Sequence, residues 1–146
     1  MPVRILIVDD HEIVRQGVRT LLANNRPLWE VCGEARDGRE AIVLAAELKP
    51  DAIILDVTMP VMGGLNAAQV ILETNRDTKV LIFTMQESRT LSKLVQQSGA
   101  HGFVLKSQAS RDLIVALDKV LAGGTFFRPE VDDDYAQPAG ASGRTY

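Results

Sequence analysis

Five short apolar runs alternate with longer stretches of helical period, and no other feature of this 146-residue chain constrains its fold so tightly. Parallel strands need a crossover between them, and the crossover is normally a helix. The strand candidates are Arg4–Val8, Trp29–Gly33, Ala52–Leu55, Val80–Phe83 and Gly102–Leu105. The third and fourth are too apolar for a sheet with one wet face, so both faces are expected to be covered. Between the runs, Ile13, Val14, Gly17, Val18, Leu21 and Leu22 recur on one side of a helix. Leu113, Ile114, Leu117, Val120 and Leu121 do the same near the end. Arg39–Leu48, Asn66–Thr74 and Thr90–Ser98 complete the set, punctuated by Gly38, Gly64 and Gly99. The expected fold is α/β: a doubly wound (βα)₅ unit with a five-stranded parallel sheet in the order 2-1-3-4-5.

That unit accounts for residues 1–127. Residues 128–146 turn to Pro, Gly, Ser and Asp with almost no apolar periodicity, which predicts a flexible tail or linker. The longest apolar runs are only a few residues, so no membrane span is expected, and the amino terminus lacks a signal-peptide pattern. A cytoplasmic protein is the resulting expectation. Cys32, the single cysteine, cannot form an internal disulfide and reads as a small residue filling a strand. A net charge of −3 argues against nucleic acid binding through this segment.

In such a sheet, sites form beyond the carboxyl ends of the strands. Strand one runs into Asp9 and Asp10, strand three into Asp56, strand four into Thr84 and strand five into Lys106. In the order 2-1-3-4-5 these four strands are neighbours, so the side chains converge on one rim. Singly, an Asp or Thr after a strand is most often a turn or cap residue. Three acids, a hydroxyl and a lysine at successive strand ends are not explained that way. Two carboxylates about 4 Å apart repel by roughly 4 kcal/mol at an effective dielectric near 20, so three need a counter-charge. Mg²⁺ (or Mn²⁺) suits oxygen ligands, uses one or two carboxylates, and bridges to phosphoryl oxygens. Asp10 and Asp56 are assigned as direct ligands, and Asp9 acts through metal-bound water. Lys106 and Thr84 would neutralise and hydrogen-bond phosphoryl oxygens, which leaves Asp56 as the nucleophile for phosphoryl transfer.

The motifs VDD (Val8–Asp10), LDVTMPVMGG (Leu55–Gly64), FTM (Phe83–Met85) and GFVLK (Gly102–Lys106) resemble two-component response regulator receiver domains. The resemblance spans about residues 3–127. It implies that Asp56 is the phosphoacceptor, Asp9 and Asp10 the acidic pair, and the backbone carbonyl of Thr58 a further Mg²⁺ ligand. It also implies that Thr84 and Phe103 act as switch residues and that Lys106 contacts the phosphate. The runs DDHEIVRQGVRTLL and AGGTFF are similar to receivers of the NarL/FixJ type, which usually continue into a LuxR-type helix-turn-helix. About nineteen residues follow Phe127, too few for that module, so either an output domain is severed here or the receiver stands alone. Gly63 departs from relatives that carry Asp there.

A receiver implies a sensor histidine kinase or phosphotransfer protein as donor, and a homodimer promoted by phosphorylation, through helices one and five. The charges on those helices, Arg15, Arg19, Asp118 and Lys119, read as solvated. Gln86 and Thr58 could tune the lifetime of the phosphorylated state, and His11 and His101 receive no catalytic role. Three rival readings are a flavodoxin-like cofactor module, an aspartate-nucleophile phosphatase and a non-phosphorylated pseudo-receiver. The first lacks a glycine-rich phosphate loop and would set Asp9 and Asp10 against a phosphate. The second needs an acid two residues past the first-strand nucleophile, where His11 stands. The third would lack part of the acid, hydroxyl and lysine set, all of which is present. The chain is therefore read as a switch and not a turnover enzyme.

Overall fold

Every predicted strand and helix is present in the computed structural model, which describes residues 2–58, 63–85 and 88–127. The order is β1 (Arg4–Val8), α1 (Glu12–Asn25), β2 (Glu30–Ala35), α2 (Gly38–Leu48), β3 (Ala52–Leu55) and α3 (Gly64–Thr74). It continues through β4 (Lys79–Thr84), α4 (Arg89–Gln97), β5 (Gly102–Leu105), a 3₁₀ turn (Lys106–Gln108) and α5 (Ala109–Leu121). The strands pair in parallel in the order β2-β1-β3-β4-β5. The expected tail at 128–146, the loop at 59–62 and Gln86 lie outside the described residues. No helix among the described residues is long and apolar enough to cross a membrane.

The period-two alternation of the strands sorts their side chains onto two cores. Leu6, Val8, Ile53, Leu55, Val80 and Ile82 pack against Ala41 and Ala45 of α2, Ala67, Ala68 and Ile71 of α3, and Val95 of α4. Ile5, Ile7, Ile54, Leu81 and Phe83 face the other way, onto Val18 and Leu22 of α1 and Leu113, Ala116 and Leu117 of α5. Small residues on α2 and α3 let those helices approach the sheet closely. Two helix starts are capped by side chains: the Asp37 carboxylate accepts from the Glu40 amide at 2.9 Å, and Ser88 Oγ accepts from Leu91 N–H at 3.0 Å.

Two strand boundaries differ from expectation. β2 ends at Ala35 rather than Gly33, because its register against β1 slips between Ile5↔Val31 and Leu6↔Gly33. Cys32 is the extra residue of that bulge, half-buried, its thiol 3.5 Å from the Ile5 carbonyl and its pKa pushed up by burial. The bulge carries Glu34 and Ala35 into the ladder. β4 extends to Thr84, which is therefore inside the sheet rather than just past it.

His101 has a structural task in the turn before β5. Its Nδ1 accepts the Val80 N–H at 3.0 Å, while the His101 backbone N–H donates to the Val80 carbonyl at 2.8 Å. Burial, with Lys79 nearby, lowers the imidazole pKa, so the folded state prefers it neutral. Stability from this group is therefore present above its ordinary value of about 6.5 and lost as pH falls through that value. His101→Ala is expected to lower unfolding free energy by about 1–2 kcal/mol at pH 7.5, since a buried amide loses its acceptor. Urea denaturation at pH 7.5 and pH 5 checks this, and the gap between the two proteins should narrow at the lower pH.

Candidate functional site

Register brings the polar strand ends together. Val8 pairs with Leu55, so Asp9 and Asp56 leave adjacent strands side by side. The ladder continues one step further, with Asp9 N–H donating to Ala35 O and Asp56 N–H donating to Val8 O, both at 3.0 Å. Both carboxylates thus stand on fixed backbone. Thr84 pairs with Leu105, so Lys106 begins its 3₁₀ turn beside the end of β4. Asp9, Asp56 and Thr84 are all at most 2% exposed.

Within this rim, Lys106 Nζ lies 2.5 Å from Asp9 Oδ2 and 3.4 Å from Asp56 Oδ2. One ammonium faces two buried carboxylates, with Asp10 beside them at the surface. Burial pushes the Asp56 carboxyl above the usual carboxylate range; Lys106 opposes the shift and Asp9 adds to it. Asp9 Oδ2 and Asp56 Oδ2 are enclosed against the Lys106 ammonium, and Asp10 Oδ1 is enclosed beside them without a hydrogen bond. Three carboxylates around one ammonium in an enclosed rim leave excess negative charge that is costly. Ligand atoms of Asp9, Asp10, His11 and Asp56 all lie within 4.8 Å of one another. The donor set, mostly hard oxygens with excess negative charge, fits a divalent cation.

Thr58 sits two residues past Asp56, its amide 3.3 Å and its hydroxyl 3.4 Å from Asp56 Oδ1. Phe103 is buried in the core on the α2, α3 and α4 side of the sheet, on β5, which leads directly into Lys106.

Three neighbours of the site were not assigned to it from sequence. Gly64, expected only to punctuate a helix, begins α3 directly against the phosphoacceptor candidate: a Cβ there would lie 1.9 Å from the Asp56 carbonyl oxygen. Arg15, expected to be solvated, is buried, and its Nη1 donates to the Asp9 carbonyl at 2.7 Å. Its Nε donates to Glu34 at 2.7 Å, and Arg19 joins the same carboxylate at 2.8 Å. The bulged end of β2 thereby supplies the counter-charge for an arginine that holds the Asp9 backbone. A signal existed, since Arg15, Val18 and Leu22 share one helix face at i, i+3 and i+7. Asp118 is likewise engaged, paired with Arg26 across α1 and α5. The third neighbour, His11, has Nδ1 3.1 Å from Asp9 Oδ1 and 3.0 Å from Asp10 Oδ1.

Known proteins share this sequence pattern and this fold. Residues 5–118 match the family described as the response regulator receiver domain. The response regulator GacA of Pseudomonas aeruginosa is 35% identical over 134 residues, covering 92% of this chain and 62% of its own length. A LuxR-family two-component response regulator from Aurantimonas has a solved structure similar at TM-score 0.83 and 36% identity, covering 91% of this chain and 94% of that one. The isolated receiver domain of RcsB from Salmonella enterica, solved in the presence of the phosphomimetic BeF₃⁻, is similar at TM-score 0.81 and 26% identity, over 91% and 98% of the two chains.

Proposed function

The chain belongs to the response regulator receiver domain family, and from that premise we propose that Asp56 accepts a phosphoryl group from the phosphohistidine of a sensor kinase or phosphotransfer protein. A receiver of the GacA and NarL type is a signalling switch of two-component systems and not a turnover enzyme. The flavodoxin-like and phosphatase readings fall away with that membership. The chain spans 62% of the length of GacA, a relative of regulatory function. A transcriptional output following residues 1–127 is part of the same proposal, in preference to a receiver acting alone.

The observation that carries the site assignment is the set of enclosed oxygens on Asp9, Asp10 and Asp56, three carboxylates gathered around the one ammonium of Lys106. In the transfer, an Asp56 carboxylate oxygen attacks phosphorus in line, the bond from phosphorus to the donor nitrogen breaks, and the imidazole leaves. Asp10, Asp56 and the Thr58 carbonyl would hold Mg²⁺ or Mn²⁺, with Asp9 acting through bound water. The cation supplies charge neutralisation for the phosphoryl oxygens. Lys106, already within reach of Asp56, moves from one anion to the next. Thr84 donates to another phosphoryl oxygen, and Phe103, on the strand that ends in Lys106, follows the change into the α4–β5–α5 surface. Hydrogen bonds to charged groups contribute roughly 1.5–3 kcal/mol each, so two approach the 5.5 kcal/mol that inverts a 1:99 population. Dimerisation through α1 and α5 is the expected readout.

Incubation with acetyl phosphate tests the chemistry without a kinase. Stoichiometric phosphoryl incorporation is expected with millimolar Mg²⁺, and a fall of at least about a hundredfold in rate is expected with excess EDTA, given how far the cation neutralises charge here. Metal-independent labelling at the same rate would overturn the assignment of the acidic set.

A further inference from the structure

A buried arginine stands where α1 turns its apolar face to the sheet. Arg15 shares that face with Val18 and Leu22, and all three are at most 8% exposed. A cation there is desolvated and lies near the positive end of the helix dipole, both of which are costly. Apolar residues in place of a buried ion pair are often neutral or stabilising, so stability alone gives no reason for the guanidinium. Its contacts do. Nη1 donates to the Asp9 carbonyl at 2.7 Å and Nε to Glu34 Oε1 at 2.7 Å, while Arg19 Nη1 donates to Glu34 Oε2 at 2.8 Å. β1 ends at Val8, so the Asp9 carbonyl lies past the strand, in the peptide that joins Asp9 to Asp10. On the other side of Asp9, its amide donates to the Ala35 carbonyl at 3.0 Å. Both peptide groups of Asp9 are thus tied to the bulged end of β2, one directly at Ala35 and one through Arg15 and Glu34.

We propose that Arg15, braced by Glu34, is a positioning residue for phosphoryl transfer: it holds the peptide between Asp9 and Asp10 so that both carboxylates face the divalent cation. The inference rests on the reading above that the acidic rim holds Mg²⁺. The Asp9 side chain has two further ties, the His11 amide at 2.9 Å from Oδ1 and Lys106 Nζ at 2.5 Å from Oδ2. Lys106 leaves Asp9 when it turns to the phosphoryl oxygens, and the backbone ties then keep the carboxylate in place. A planar guanidinium presents donors at fixed spacing and bridges a carbonyl and a carboxylate together. A lysine ammonium on a flexible stem does not reproduce that geometry. Removing such a support from metal-binding groups typically lowers metal affinity by about ten- to a hundredfold.

Calorimetric titration of the full chain with MgCl₂ tests this in the wild type, Arg15→Met, Arg15→Lys and Val18→Ala. Methionine keeps part of the stem and loses every donor, and it is expected to weaken Mg²⁺ binding by about tenfold. The sign is diagnostic, because removing a nearby positive charge would by itself tighten the binding of a cation. Lysine keeps the charge and one contact, so Arg15→Lys is expected to fall between, at about threefold. Val18→Ala loosens the same helix face at a core residue. It is expected to lower Tm while leaving Mg²⁺ affinity within about twofold of the wild type. Mg²⁺ affinity unchanged or raised in Arg15→Met, or weakened equally by Val18→Ala, would overturn the positioning role. If Arg15→Met does not fold, Arg15→Lys set against Val18→Ala decides by the same comparison. A wild type that binds no Mg²⁺ would overturn the cation reading itself, and this inference with it.

Discussion

Gly64→Ala is expected to destabilise the domain by about 3 kcal/mol or more, a fall of roughly 10–15 °C in Tm for a fold of this size. The added Cβ would meet the Asp56 carbonyl oxygen at 1.9 Å and the Asp56 carbonyl carbon and Val57 Cα at 2.7 Å. All three are backbone atoms, so no rotamer change relieves the clash. Either α3 moves off the sheet, exposing Ala67, Ala68 and Ile71, or the backbone carrying Asp56 shifts. The second outcome also displaces the phosphoacceptor, so labelling by acetyl phosphate is expected to fall with stability. Gly63 is the internal control: a Cβ there meets only the Val57 carbonyl oxygen, at 3.5 Å, with φ at −65°. Gly63→Ala is expected to change unfolding free energy by less than about 1 kcal/mol. Thermal unfolding of the two variants beside the wild type checks both numbers; equal effects would mean that steric approach to Asp56 is not what Gly64 provides.

Asp56→Asn is expected to abolish phosphoryl incorporation while raising stability in the absence of divalent ions. The folded pKa of Asp56 lies above its unfolded value of about 3.9 because burial disfavours the charge. The ionised carboxylate therefore costs stability, and that cost appears as pH rises through the folded pKa. Below about pH 4 the group is protonated in both states, and the variant has no advantage. At neutral pH the amide is expected to be more stable by about 1–2 kcal/mol, since the desolvation of the buried charge, with repulsion from Asp9 added, outweighs the lost attraction to Lys106 at 3.4 Å. Millimolar Mg²⁺ should narrow the gap by stabilising the wild type. Denaturation at pH 4 and pH 7.5 checks the sign; a variant less stable than wild type at pH 7.5 would show the attraction to Lys106 to outweigh the cost of burying the charge.

The chemistry of the site was more legible in the sequence than its supports. Asp9, Asp56, Thr84 and Lys106 could be placed because each lies at or just past the end of an apolar run, and parallel pairing aligns such ends. Gly64 was read as punctuation, since close approach of α3 to the Asp56 carbonyl depends on how the intervening loop returns, which local spacing does not encode. The end of β2 was misplaced because a bulge at Cys32 breaks the simple count, and Glu34 was lost with it. Without Glu34, Arg15 had no visible partner and looked solvated. His11 was set aside as a lone histidine, although it directly follows two acids that the fold turns toward it.

Phosphoryl transfer to the Asp56 carboxylate is tested most directly by chemical trapping. Borohydride reduces an acyl phosphate to an alcohol, so a phosphorylated aspartate becomes homoserine. After treatment with acetyl phosphate and Mg²⁺, reduction, proteolysis and mass-spectrometric sequencing are predicted to find homoserine at position 56 alone. Homoserine at position 9 or 10 instead, or none in a protein that retains its phosphoryl label through reduction, would contradict the account.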